Sequence, residues 1–212
     1  MTLIERIGKY VDEIAPGQPI LAGDIYIHVA KAGFTQRDVF NEYLTRYLDT
    51  HPDFLRYRRG IYYKTVQTPF GRTGIGVAAL VERIYVKDKG ERFGYETGPS
   101  LMHKLGLTTM MPGATYIATE RMRYKILGQN DGYILVKPVT EVTQDNYRYL
   151  QLLDILDNRY EVEFDVADEN AILRAFIDDH KLDFERLVYY ATKYRNKRVL
   201  ARLAKLARGE KR

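Results

Sequence analysis

The chain has 212 residues and a mass of 24.7 kDa, with 45% hydrophobic and 29% charged residues. That composition can bury a core and suits one ordinary domain or two small ones. It excludes several classes. No apolar run reaches the roughly 18 residues of a membrane span. The first ten residues carry Glu5, Arg6 and Lys9 instead of an apolar signal core, so a cytoplasmic location is expected. Without cysteine there is no disulfide, thiolate zinc site or cysteine nucleophile. The four histidines are scattered, and neither metal nor cofactor is expected.

Charge is unevenly placed. The net is +5, yet residues 181–212 hold eleven basic and three acidic residues, a local +8. A second basic run is Arg56, Arg58, Arg59 and Lys64, and Asp154–Asp179 is strongly acidic. Two basic clusters on a mildly acidic chain point to an anionic partner, nucleic acid first among them, or to plain solvated faces.

In chain order, Leu3, Ile4, Ile7, Val11 and Ile14 repeat at helical spacing, and Pro16-Gly17 ends that segment. Ile20–Ala30 is expected to hold a short second helix or turn, closed by Gly33. Thr35 is the expected N-cap of a third helix running to about Asp49, with Val39, Phe40, Tyr43, Leu44, Tyr47 and Leu48 on its apolar side. His51-Pro52 stops it. Phe54–Lys64 alternates apolar residues with cations and reads as a β-hairpin turning near Arg58–Gly60.

Three helices followed by a basic hairpin is the order of a winged helix-turn-helix. In such a domain the third helix enters the major groove. Gln36, Arg37, Asn41 and Thr45 lie on its outward side with chemistry suited to base edges. Arg56, Arg58, Arg59 and Lys64 are the expected phosphate contacts of the wing. Ordinary solvated positions on an amphipathic helix are the blander reading.

Residues 67–76 are rich in Pro and Gly and are expected to be a linker between a winged-helix domain (1–66) and a mixed α/β C-terminal domain with terminal helices (77–212). The fold class expected overall is thus α+β. Gly71–Gly76 lacks the Gly-Lys-Ser/Thr ending of a P-loop and the spacing of a dinucleotide fingerprint. Beyond it, helices are expected at Ile75–Tyr85 and Ser100–Leu105, the latter ending at Gly106. Strands are expected at Ala114–Thr119, Met122–Leu127 and Gly132–Val139. Helices follow at Tyr147–Tyr160, Asp168–His180, Leu182–Tyr194 and Asn196–Ala207.

Catalytic constellations are weak. Asp24, Glu96, Glu120 and Asp131 are available carboxylates, and Asp131 with Lys137 brackets a strand, but the acid–lysine spacing of a metal-dependent nuclease is missing. Ser100 and His103 lack an orienting acid. Met110-Met111 reads as adaptable core packing. No enzymatic activity is expected. On the last helix Arg198, Arg202 and Lys205 share a face, which suits phosphates, an acidic protein surface or solvent.

Three stretches together resemble one family: Arg56–Tyr63; Gly98–Pro112 with its Leu105-Gly106-Leu107-Thr108-Thr109; and Leu182–Leu187 continuing through Tyr190-Ala191, Tyr194 and Val199–Leu203. The chain resembles the AbiEi-type antitoxins of bacterial type IV toxin–antitoxin systems. Members often carry Gln where Met110 stands here. The resemblance implies a DNA-binding transcriptional autorepressor encoded beside a nucleotidyltransferase-like toxin. Its partners would be double-stranded DNA of its own promoter and either a cognate toxin or the toxin's target, with no membrane. A protein-interaction module that restrains a partner enzyme, or a metal-dependent nuclease, are the alternatives.

Overall fold

The computed structural model describes residues 1–34, 36–123, 126–127 and 131–208. They form a mixed α+β chain that divides into two compact units, Met1–Arg83 and Ile84–Arg212.

The first unit opens with α1 (Leu3–Asp12). Thr2 Oγ1 accepts from Glu5 N, and the Glu5 carboxylate accepts from Thr2 N (2.8 Å). This reciprocal pair satisfies two orphan donors at the helix start. Strand β1 (Ile20–Leu21), α2 (Ala22–Ala30), α3 (Arg37–Thr50), β2 (Phe54–Arg58) and β3 (Ile61–Lys64) follow. The expected N-cap Thr35 lies outside the described residues. The strands make one antiparallel sheet in the order β1-β3-β2. Its register pairs Ile20 with Tyr62 and Arg56 with Tyr62, with a bulge between Arg56 and Arg58. Gly60, at φ +79°, supplies the left-handed residue the turn needs. Leu3, Ile7 and Val11 of α1 meet Ile25 and Val29 of α2, Phe40, Leu44 and Tyr47 of α3, and Phe54 and Tyr62 of the hairpin in one core.

Residues 67–76 are not an open linker. β4 (Gln67–Thr68) and β5 (Gly71–Arg72) pair as a short hairpin, and the units divide after Arg83 instead. The reason is local hydrogen bonding that composition hides. Thr65 Oγ1 donates to Thr73 O (2.7 Å), Val66 N to Thr73 Oγ1 (3.0 Å) and Thr73 N to Val66 O (3.0 Å). Gly76 N donates to Gly17 O (2.8 Å), which ties the stretch to the loop before β1. α4 (Val77–Val81) continues into a π turn, Glu82–Val86. There Arg83 donates to Pro19 O (2.6 Å) and pairs with buried Asp24.

In the second unit β6 (Lys87–Asp88) and β7 (Glu91–Arg92) form a small hairpin. β8 (Gly94–Thr97), α5 (Gly98–Lys104), β9 (Thr115–Thr119) and β10 (Tyr133–Val136) follow. The sheet order is β10-β9-β8, antiparallel between β8 and β9 and parallel between β9 and β10. A parallel pair is not joined by a hairpin, so the turn signal before Gly132 does not link adjacent antiparallel arms. β8 was not expected from its sequence. The strand expected at Met122–Leu127 falls partly outside the described residues, and Met122, Arg123, Ile126 and Leu127 form no strand.

The four terminal helices are α6 (Tyr147–Asp157), α7 (Glu169–Asp179), α8 (Phe184–Tyr194) and α9 (Lys197–Arg208). α6 is the central one, with every residue from Tyr149 to Leu156 buried. It ends at Asn158, left-handed at φ 42°, whose side chain brackets Val162 N and O. Asp168 and Asp183 cap α7 and α8 through Ala171 N and Arg186 N. Around α6 pack Met102, Leu107, Leu173, Phe176, Leu187, Ala191, Val199, Leu203 and Leu206. Met110 and Met111 are exposed, at 49% and 78%, which corrects the expectation of core packing. Thr109 N and Oγ1 are fixed to the exposed Asp165 carboxylate, and the two methionines follow that anchor out into solvent. Among the described residues no helix is long and apolar enough to cross a membrane.

Candidate nucleic-acid interface and a buried polar cluster

α3 buries Phe40, Leu44 and Tyr47 and leaves the opposite side to solvent. Gln36, Arg37, Asn41 and Thr45 are all exposed, but Gln36 is the N-cap four residues before buried Phe40, and the side directly opposite the core carries Asp38, Glu42 and Asp49 beside Thr45. Arg37, Asn41 and Thr45 follow each other at four-residue steps, so they share one stripe. The Arg37 guanidinium lies 4.9 Å from the Tyr26 ring centroid of α2, a cation–π contact that steadies it. Thr45 Oγ1 donates to Asn41 O (2.9 Å) and so has acceptor capacity left.

The hairpin adds charge. Arg56, Arg58 and Arg59 are exposed, and among the described residues none of them makes an ion pair. Arg56 leans on Tyr62 and Arg58 on Tyr57, with 5.7 and 5.8 Å to the ring centroids. Lys64 differs from the other three. It is half-buried and donates to Asp12 O (3.2 Å) at the end of α1. A cation on a helix C-terminal carbonyl is a structural tie, and it takes one of the three Lys64 donors.

The C-terminal cations are also partly spent. Arg202 donates to Leu156 O (2.8 Å), and Arg198 donates to Asp157 O with its carboxylate 3.6 Å away. Both therefore satisfy carbonyls at the end of α6, which would otherwise lack partners. Lys205 stays exposed. The Arg198 side chain is also 60% exposed, so the stripe both ties down the end of α6 and presents charge to solvent.

Of the acidic stretch, Asp154 and Asp157 are consumed in the same way, while Glu161, Glu163, Asp165, Asp178 and Asp179 are exposed. Asp154 is buried within α6 and accepts from Thr97 Oγ1 (2.7 Å), Tyr95 Oη (3.0 Å) and Arg195. The Arg195 side chain is 3% exposed and also lies 3.8 Å from Asp157. Arg159 stands 3.9 Å from both carboxylates. Above Asp154 a cleft of about 10 Å³ is lined by Lys137, Arg159 and Tyr160 among others, enough for roughly one water. Of this cluster the sequence singles out only Lys137 and Asp154, because its members are scattered from Tyr95 through Asp154 to Arg195.

Other candidate groups are occupied. Ser100 Oγ is buried, donates to Thr97 O (3.2 Å) and accepts from Tyr116 N (3.1 Å). His103 Nδ1 lies 3.2 Å from Thr108 O. Glu96 pairs with Lys104 (2.6 Å), and Glu120 accepts from Val142 N.

Buried tyrosines, Tyr95 and Tyr47 foremost, are expected to make stability fall in alkali. Burial, then the Asp154 carboxylate, holds the Tyr95 hydroxyl well above its ordinary value of 10.0. Burial, then Asp12 and Asp53, pushes Tyr47 up to about 12. Above about pH 10 the unfolded chain loses these protons while the folded chain keeps them, so folding weakens as pH rises to the folded value. The decline sets in at about pH 10, and below that the contribution is fully present. Thermal melts across this window test it, and Tyr47→Phe should flatten the decline between about pH 10 and 12. Unchanged melting temperatures through that range would refute the assignment.

No protein-family model matches the chain, and no curated protein matches it in sequence.

Proposed function

We propose that the chain is a DNA-binding transcriptional autorepressor with a winged-helix N-terminal unit, acting as the antitoxin of a nucleotidyltransferase-like toxin. One observation carries the DNA-binding reading. An exposed polar stripe on α3 is followed directly by a hairpin whose three exposed arginines have no carboxylate partner among the described residues. The order helix, strand, helix, helix, hairpin supports the winged-helix reading. The antitoxin reading rests on the resemblance of Arg56–Tyr63, Gly98–Pro112 and the Leu182–Leu203 region.

In this reading Arg37, Asn41 and Gln36 face base edges, Thr45 serves as an acceptor, and Arg56, Arg58 and Arg59 follow phosphates. Arg37→Ala is expected to cost about 1–3 kcal/mol of binding to the chain's own promoter and to relax base preference. Arg58→Ala and Arg59→Ala should weaken all sequences alike, each lowering the salt slope by about one. Fluorescence anisotropy over a salt series measures both. Hairpin variants that bind with the wild-type salt slope would remove the wing from the interface.

A second reading has its own support. Phe184, Val188 and Tyr189 on α8 are 38%, 39% and 55% exposed and lie on one side of the helix. That apolar patch favours a protein contact for the second unit. Co-purification with the neighbouring gene product, without promoter binding, would favour a module that restrains a partner enzyme.

A further inference from the structure

The loop of the β4–β5 hairpin holds two residues, Pro69 and Phe70, between the pairs Thr68–Gly71 and Gln67–Arg72. Phe70 is 100% exposed. A single exposed apolar residue is ordinary by itself, but an aromatic ring held at a hairpin tip by ordered hydrogen bonds offers a partner a large apolar area. The hairpin is built to hold it there. Thr68 Oγ1 accepts from Phe70 N (3.2 Å) and donates to Gly71 O (2.7 Å). Pro69 fixes its own φ, and Gly71 sits at φ +107°, where other residues are strained. Arg72 donates to Pro52 O (3.3 Å), tying the hairpin to the segment that enters β2.

The surroundings name the partner's charge. From Phe54 to Gly76 the chain carries no carboxylate; Arg56, Arg58 and Arg59 are exposed without an ion pair among the described residues, while Lys64 and Arg72 each donate to a backbone carbonyl. A rigid aromatic tip within an uninterrupted cationic segment matches a polyanion that offers flat apolar surface between its charges. Duplex DNA does so at every base step. Apolar wedges of this kind enter from the minor groove, unstack neighbouring base pairs and kink the helix.

We propose that the β4–β5 hairpin is a second DNA-contacting element, in which Phe70 inserts between adjacent base pairs of the promoter and bends it. This deepens the DNA-binding reading above and rests on it. Phe70 reads no base edge. It selects steps that unstack easily, and so adds shape readout to the contacts of α3.

The full-length chain is tested on duplexes covering its own upstream region, with circularly permuted fragments for bending and 2-aminopurine placed along the site for unstacking. Wild type is expected to kink the DNA by about 20–90° and to brighten 2-aminopurine at one step. Phe70→Ala should lose both signals and bind about tenfold more weakly, with an unchanged salt slope. Phe70→Leu should keep some of the bend. Because Phe70 buries nothing in the fold, Phe70→Ala should melt like wild type, which separates a missing DNA contact from a damaged fold.

Equal bending by wild type and Phe70→Ala, with affinity still sensitive to Arg58→Ala, would overturn the wedge and leave the DNA-binding reading standing. No binding by wild type to any duplex would remove both. Loss of binding to anionic phospholipid vesicles in Phe70→Ala, with DNA bending intact, would make the tip a membrane contact. A changed mass in light scattering, with DNA bending intact, would make it a contact between copies of this chain. Either result would overturn the proposal.

Discussion

Asp154→Ala is expected to destabilise the Ile84–Arg212 unit by about 3 kcal/mol. The Asp154 carboxylate accepts from both the Tyr95 and the Thr97 hydroxyl, and it faces an arginine whose side chain is 3% exposed. Removing it leaves Arg195 charged in a place water barely reaches. Breaking one partner of a buried pair typically costs about 3–5 kcal/mol. The lower end is expected here because Asp157, at 3.8 Å, still faces the guanidinium. The Arg195 Nε already lacks an acceptor among the described residues, so the site has little reserve. Asp154→Leu combined with Arg195→Met removes both charges and should recover much of the loss, since an apolar pair of similar volume is often neutral or better. Urea denaturation of the single and double variants decides it. A double variant no more stable than Asp154→Ala would show that the polar network itself, and not the unpaired charge, holds α6 to β8 and the end of α8.

The periodic stretches of this chain were legible in its sequence. Leu3, Ile7 and Val11, or Phe40, Leu44 and Tyr47, repeat at the helical interval and fall on the buried faces of α1 and α3. Asp168 and Asp183 announce the helices that they cap. The hairpin Phe54–Lys64 was legible because its alternation brackets one glycine. What escaped reading depends on partners distant in sequence. β8 is four residues long and is a strand because β9 pairs with it. The hairpin within 67–76 looks like a linker until Thr65 and Thr73 are seen to bond. Charge was the most misleading signal. Asp154, Asp157, Arg195, Arg198 and Arg202 look like an acidic belt beside a basic tail. Folded, the two aspartates pair with Arg195 and Arg198, and Arg198 and Arg202 finish α6 through its last carbonyls. Exposed Arg56, Arg58 and Arg59 look the same in sequence as these spent cations, and only the fold separates them.

Gly94→Ala is expected to cost about 3 kcal/mol or more and to disrupt the β8 edge of the second unit. A Cβ at this position would lie 2.0 Å from Tyr85 O and 2.7 Å from Ala118 O. Both are backbone atoms, so no side chain can swing away. The Tyr85 carbonyl belongs to the π turn and the Ala118 carbonyl to β9, and Gly94 passes between them. To admit a methyl group, β8 must withdraw from one of the two. Withdrawal strains a connected set of bonds: Phe93 N to Val86 O (2.9 Å), Glu120 N to Phe93 O (3.1 Å) and the pairing of Gly94 with Thr119. It also displaces Tyr95, whose hydroxyl reaches Asp154. Gly23→Ala is the matched control. Gly23 is the second residue of α2, with nothing within 4 Å of an added Cβ. There alanine removes backbone entropy from the unfolded chain and should stabilise by about 0.5–1 kcal/mol. Thermal melts read both changes. A Gly94→Ala variant that melts within about 1 kcal/mol of wild type would mean that β8 does not thread between these two carbonyls.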